Sequence, residues 1–190
     1  MVSETNHRVN NNLQLIAVLI ENKIRKNKNE NEKAEFTRFL TKVEAIAALH
    51  RLLYVTNNVN IINLQEYLMD IKNNFEELVL EENINLNVTI EDTKIHSDTA
   101  LYLGLLITEL FINSIKHAFK EHQQKVISFS LIVKENELFF KYEDNGENSK
   151  KIELKPALVE QLCLQLEVDY TINSSQGFQI NFIKNHSKNA

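Results

Sequence analysis

The residues Asn6-His7-Arg8-Val9-Asn10-Asn11-Asn12-Leu13-Gln14 set one imidazole among amides and a guanidinium near the start of the chain. Apolar residues at Val9, Leu13, Ile16, Ile20 and Ile24 recur at steps of four and three, so residues 3–27 are predicted to form a helix with one apolar stripe, widened by Leu15 and Leu19. At ~100° per residue, His7 falls opposite that stripe, together with Asn11 and Gln14. An imidazole with an ordinary pKa of ~6.5 offers an unprotonated nitrogen at neutral pH, able to accept a phosphoryl group and present it to another protein. Arg8 reads two ways, as a partner for that phosphoryl group or as an exposed helix charge.

A second constellation sits on a helix running from Ser97 or Asp98 to about Phe119. Ala100, Leu103, Ile107, Leu110, Phe111, Ser114 and Ala118 form its packing face. Glu109, Asn113 and Lys116 lie on the other side, with His117 at the edge. Carboxylate and amide oxygens suit a hydrated magnesium ion, and the cationic donors suit a polyphosphate. The competing reading is a solvated polar helix face. His50 lies on an apolar stripe and reads as a packed histidine, while His96, His122 and His186 read as surface residues without partners.

Composition limits the alternatives. A net charge of −5 argues against a general nucleic-acid surface. The single cysteine, Cys163, falls in an apolar helical stretch and reads as a buried inert thiol, consistent with a reducing cytoplasm. No apolar run approaches bilayer length, so no direct membrane insertion is expected. The chain has 3 glycines, at 104, 146 and 177, few for a site that wraps phosphate in backbone N–H groups.

The elements that must hold these groups follow from periodicity. The polar run 26–33 reads as a solvated turn, after which Phe36, Phe39, Leu40, Val43, Ile46, Ala47, His50, Leu53 and Tyr54 give a second helical stripe. Two such helices make an antiparallel hairpin, with too little area to bury both stripes unless it pairs into a dimeric four-helix bundle. Asn57 to Asn60 looks like a linker. Then come a helix at Leu64–Leu80, a strand at 84–90, the helix already described, strands at 126–133 and 137–143, a helix near 156–166, and strands near 168–173 and 178–184. The expected fold class is α+β: residues 1–59 a dimerising helical hairpin, and residues 60–190 an α/β sandwich with one mainly antiparallel sheet covered by helices.

The motifs then resemble a family. Glu109-Leu110-Phe111-Ile112-Asn113-Ser114-Ile115-Lys116-His117-Ala118-Phe119 is similar to the N box of sensor histidine kinases, and His7 to Gln14 resembles the phosphoacceptor motif of the H-R-V-K-N-N-L-Q subfamily. Ala45 to His50, Leu53-Tyr54 and Leu103-Gly104-Leu105-Leu106 extend the resemblance, in order, over nearly the whole chain. It implies a histidine phosphotransfer hairpin over residues 1–59, His7 as phosphoacceptor, Glu4 as its orienting carboxylate, Arg8 and Asn11 beside it, and a histidine-kinase-type ATPase-like sandwich. It also implies a nucleotide site at Glu109, Asn113, Lys116, His117, Asp144 and Gly146, with Asn113 the magnesium ligand if ATP binds.

The nucleotide loops depart from the family pattern. Asp144-Asn145-Gly146-Glu147-Asn148 resembles its D-x-G-x-G loop, but Asn148 replaces the second glycine. Where a G-L-G-L loop is expected the chain reads Glu153-Leu154-Lys155-Pro156-Ala157-Leu158-Val159, and Pro156 removes a backbone donor. The first expectation is therefore a histidine phosphotransfer protein, a phosphotransferase without a cofactor of its own that shuttles phosphoryl groups between His7 and response-regulator receiver aspartates as a cytoplasmic homodimer. The alternative is an ATP-dependent histidine kinase core using magnesium and ATP to phosphorylate His7. A third reading is a non-catalytic pseudokinase interaction module.

Overall fold

The computed structural model describes residues 2–55, 60–120, 124–147 and 157–185, with the side chains of residues 2–8, 10, 54 and 55 also outside the described part. Helices α1 (Val2–Lys26) and α2 (Glu30–Val55) form the hairpin. The turn is shorter than the charged run suggested, because amides cap it: Asn29 Oδ1 accepts from Asn31 N at 3.0 Å and the Asn29 carbonyl accepts from Lys33 N at 2.9 Å, so helix resumes at Glu30. On α1, Val9, Leu13, Ile20 and Ile24 are half-buried, whereas Ile16 is exposed along with Leu15, Val18 and Leu19.

The hairpin does not stand apart. The C-terminal half of α2 carries Ala45, Ala48, Leu49 and Leu53 into the same buried core as the sandwich. Small side chains let the helix approach closely, and the buried Tyr67 hydroxyl donates to the Ala45 carbonyl at 3.1 Å. Tyr67 lies over Gly104, where a Cβ would come within 2.4 Å of the hydroxyl. An exposed Arg51–Asp70 ion pair at 2.6 Å adds little beyond orientation. The expected boundary between 59 and 60 falls at residues 56–59, which lie outside the described part.

The sandwich comprises β1 (Ile61–Asn63), α3 (Leu64–Asn73), α4 (Glu76–Glu81), β2 (Ile84–Ile90), β3 (Lys94–His96), α5 (Ser97–Asn113), a π-helical turn (Ser114–Ala118), β4 (Lys125–Lys134), β5 (Glu137–Asp144), α6 (Ala157–Gln165), β6 (Tyr170–Asn173) and β7 (Gln179–Asn185). The main sheet has the order β2-β4-β5-β7-β6. The pair β2–β4 is parallel and the other three pairings are antiparallel. Register sets Phe129 opposite Tyr142 and Phe140 opposite Phe182, so alternate side chains face one buried core shared with α3, α5 and α6.

Three features depart from the sequence expectation. The helix 64–80 is broken at Asn74, which lets Phe75 turn inward and pack its ring 4.2 Å from that of Phe111. A short β1–β3 pair, too brief to show a period of two, closes one end. Helix Ser97–Ala118 is long and apolar enough, by length and composition, to cross a bilayer. Its apolarity is that of a core element: Leu103, Leu106, Ile107, Leu110 and Phe111 are buried among α2, α3 and the sheet.

Candidate functional site

One end of the site is built around Asp144, at the end of β5 and 5% exposed. Its Oδ1 accepts from Gly146 N at 2.9 Å and Phe178 N at 3.1 Å, while Oδ2 accepts from Ser114 Oγ at 2.6 Å. The carboxylate can only accept, so Ser114 donates to it, and the Tyr142 hydroxyl, 2.9 Å from Ser114 Oγ, donates to Ser114 in turn. Burial holds the Tyr142 phenol well above its ordinary pKa and keeps that donor in place. A carboxylate has about four acceptor positions and three are filled, leaving one for an incoming donor such as an exocyclic amine. Gly146 cannot be replaced without movement, since a Cβ there would lie 2.4 Å from the Cβ of Ala118 at the end of the π-helical turn. Asn145 ties the loop down, accepting from Val126 N at 2.8 Å and donating to the Gln124 carbonyl at 2.8 Å.

The other end lies where α5 faces α2. Glu109 is buried, 4% exposed, and Asn113 Nδ2 donates to its Oε1 at 3.4 Å. Two cations from α2 reach the same carboxylate: Lys42 Nζ is 2.7 Å from Oε2 and Arg38 is 3.8 Å from Oε1. The Lys42 approach is off-axis for a hydrogen bond, so charge rather than an aimed donor holds Oε2. A buried carboxylate without such partners would cost several kcal/mol, roughly 3–5. Lys116 Nζ donates to the Ala34 carbonyl at 3.4 Å, again on α2. Burial, and then Arg38, hold the pKa of Lys116 and of His117 below their ordinary values, and Lys116 adds to the effect on His117.

The chemistry of these donor groups fits a nucleotide with its metal. Asp144 presents a fixed acceptor to a base, Glu109 and Asn113 are adjacent oxygen donors of the kind a hard divalent cation takes, and Lys116 with His117 can face phosphate. Of the expected site residues, Glu109 and Asn113 are in contact with each other, and Asp144 and Gly146 are in contact with each other. Sequence reasoning missed Ser114, read there as a packing residue, although its hydroxyl one position after Asn113 was a signal. It also missed Arg38 and Lys42, whose spacing of four on one helix was the available clue.

The remaining candidates are less informative. His7, Glu4 and Arg8 lie on the helical backbone of α1, with their side chains outside the described part; Asn11 is exposed. Asn148, Lys155, Pro156, His122 and His186 lie outside the described residues. His50 is half-buried, its Nδ1 without a partner among the described residues, and burial lowers its pKa. His96 is not without a partner as expected: Asp98 stands 3.8 Å away. Cys163 is buried and its thiol is pushed up to about 11, chiefly by burial.

Residues 4–79 match the family described as histidine kinase. Sensor histidine kinase PdtaS of Mycolicibacterium smegmatis is 32% identical over 122 residues, covering 62% of this chain and 24% of that protein. Blue-light-activated histidine kinase 2 of Erythrobacter litoralis is 26% identical over 150 residues, covering 76% of this chain and 43% of that protein. The chain therefore spans less than half the length of these relatives. Among solved structures, the histidine kinase domain of the Erythrobacter litoralis blue-light-activated kinase superposes with a TM-score of 0.71 at 20% identity, covering 92% of this chain and 97% of that one. Acinetobacter baumannii AdeS gives a TM-score of 0.57 at 13% identity, covering 93% and 96%. The chain thus has the fold of histidine kinase domains, and its residues 4–79 resemble the histidine kinase family in sequence. Those matched residues hold the phosphoacceptor-like motif, both hairpin helices and α3, so the family likeness rests on the hairpin and the start of the sandwich.

Proposed function

We propose that this chain is an ATP-dependent histidine kinase core that phosphorylates His7 and passes the phosphoryl group to an aspartate of a response-regulator receiver domain. The observation that carries the reading is the Asp144 cluster. A buried carboxylate held by Ser114, Gly146 and Phe178, with Tyr142 behind, is an expensive arrangement for a scaffold and a useful one for reading a base. The comparisons also favour a kinase core over a pure phosphotransfer protein, reversing the order in which the sequence ranked the two.

Glu109 and Asn113 would hold magnesium, which when bound neutralises charge on the transferring phosphate. Asp144 fixes the base, and Lys116 and His117 face the phosphates. His7 then needs only an unprotonated nitrogen and alignment, because phosphoryl transfer depends on positioning and charge neutralisation more than on covalent help. Glu4 orients that imidazole, and Arg8 and Asn11 flank it. Leu15, Val18, Leu19 and Phe39, all exposed, supply the face on which two copies pair as a four-helix bundle. The setting is the cytoplasm, where ATP and receiver domains are found.

A specific observation favours a second reading, phosphotransfer without ATP: Glu109 is already matched by Lys42 and Arg38, and the sequence lacks phosphate-loop glycines. Incubation with γ-labelled ATP and magnesium separates the two. Acid-labile label on wild type and none on His7→Ala supports the kinase. No label from ATP, but His7-dependent uptake from a phosphorylated receiver domain, would leave phosphotransfer alone.

A further inference from the structure

The hairpin sends more positive charge to this site than the sandwich itself does. Arg38 and Lys42 lie one turn apart on α2, only partly exposed, and both reach Glu109. Lys116 comes from the π-helical turn and touches α2 at Ala34. Glu109 pairs with Arg38 and Lys42, Glu109 and Glu35 act on Lys116, and Arg38 is close enough to Lys116 to disfavour its charged form. Like charges gathered at one place, across two segments of the chain, call for an anion. The chain also has few glycines with which to build a backbone cradle: Gly104 is packed under Tyr67, and Gly146 is pressed against Ala118.

We propose that Arg38 and Lys42, on the hairpin, join Lys116 to form the polyphosphate cradle of the site, with side-chain cations replacing the backbone N–H groups of a glycine loop. The ligand class is the triphosphate of a nucleotide with its divalent cation, and the proposal rests on the nucleotide-binding reading above. Glu109 neutralises Lys42 and Arg38 when no ligand is present. Glu109 and Asn113 would hold the divalent cation, which would free Arg38 and Lys42 to turn to phosphate oxygens. The same exchange ties occupancy of the site to the position of the helix that packs against the His7 helix.

The full chain is titrated calorimetrically with magnesium and inorganic tripolyphosphate, with magnesium and ATP, and with adenosine. Wild type is compared with Arg38→Gln, Lys42→Gln, the double variant and Arg38→Lys. The cradle predicts that each Gln variant binds tripolyphosphate and ATP roughly tenfold more weakly, and the double variant more weakly still. Adenosine binding stays unchanged and Arg38→Lys recovers part of the loss. Lys42 partners a buried carboxylate, so Arg38→Gln is the variant to rely on if Lys42→Gln folds poorly. Unchanged or tighter tripolyphosphate binding in Arg38→Gln, or no tripolyphosphate binding by wild type, overturns the cradle. Cation-dependent binding without label on His7 leaves the cradle standing and removes the kinase reading; label on His7 with binding indifferent to Arg38 does the reverse.

Discussion

The Asp144 end and the Glu109 end of the candidate site are held together by different means. At Asp144 every partner comes from the sandwich itself, at short distance and out of water: Ser114, Gly146 and Phe178 on the carboxylate, Tyr142 on Ser114. At Glu109 one long bond comes from Asn113 and the charged partners, Lys42 and Arg38, are partly exposed cations from another segment; among the described residues no aimed donor reaches Oε2. Short buried networks resist rearrangement, whereas ion pairs with partly exposed arms can exchange partners at small cost. The difference separates a rigid recognition element from an adjustable one, and it assigns the adjustable part to the hairpin that carries His7.

Substitutions can break that contrast in a definite order. The largest effect is expected at Gly146→Ala, which drives a methyl into Ala118 and should cost about 1–3 kcal/mol, read by denaturant unfolding, with loss of ATP binding. Ser114→Ala removes the donor to Asp144 and strands the Tyr142 hydroxyl, for about 1–3 kcal/mol by the same method. A destabilisation no larger than that of exposed-surface variants would mean the Asp144 end is as loose as the Glu109 end. The smallest effect concerns titration. Burial, then Arg38, then Lys116 depress the pKa of His117, so its neutral form contributes stability above its unfolded pKa of ~6.5, lost as pH falls through the lower folded value. Arg38→Gln should move the His117 pKa upward in an NMR titration and weaken that acid sensitivity, while Ser114→Ala should leave it alone.

How much of this was legible in the sequence depends on the range of the interaction. The apolar spacing of α1 and α5 and the alternation in β2 are local, and they gave those elements; that Glu109 is buried against α2 was not visible in them. Long-range packing was not visible. Nothing in the stripe of α2 distinguishes a face for α1 from a face for the sandwich. The structure shows Ala45, Ala48, Leu49 and Leu53 satisfied within one chain. Ser114 was hidden for the same reason, because its partners Tyr142 and Asp144 lie 28 and 30 residues away. Phe75 broke a helix that propensity would have continued, since burial beside Phe111 outweighs the lost helical hydrogen bonds.

The most direct measurement is binding of magnesium–ATP and magnesium–GTP to wild type and Asp144→Asn. A carboxylate with one acceptor position left favours the exocyclic amine of adenine and meets an oxygen of guanine at the equivalent position. The account predicts measurable ATP binding by wild type, GTP at least about tenfold weaker, and loss of that preference in Asp144→Asn. Equal binding of the two nucleotides, or an ATP affinity untouched by Asp144→Asn, would contradict it.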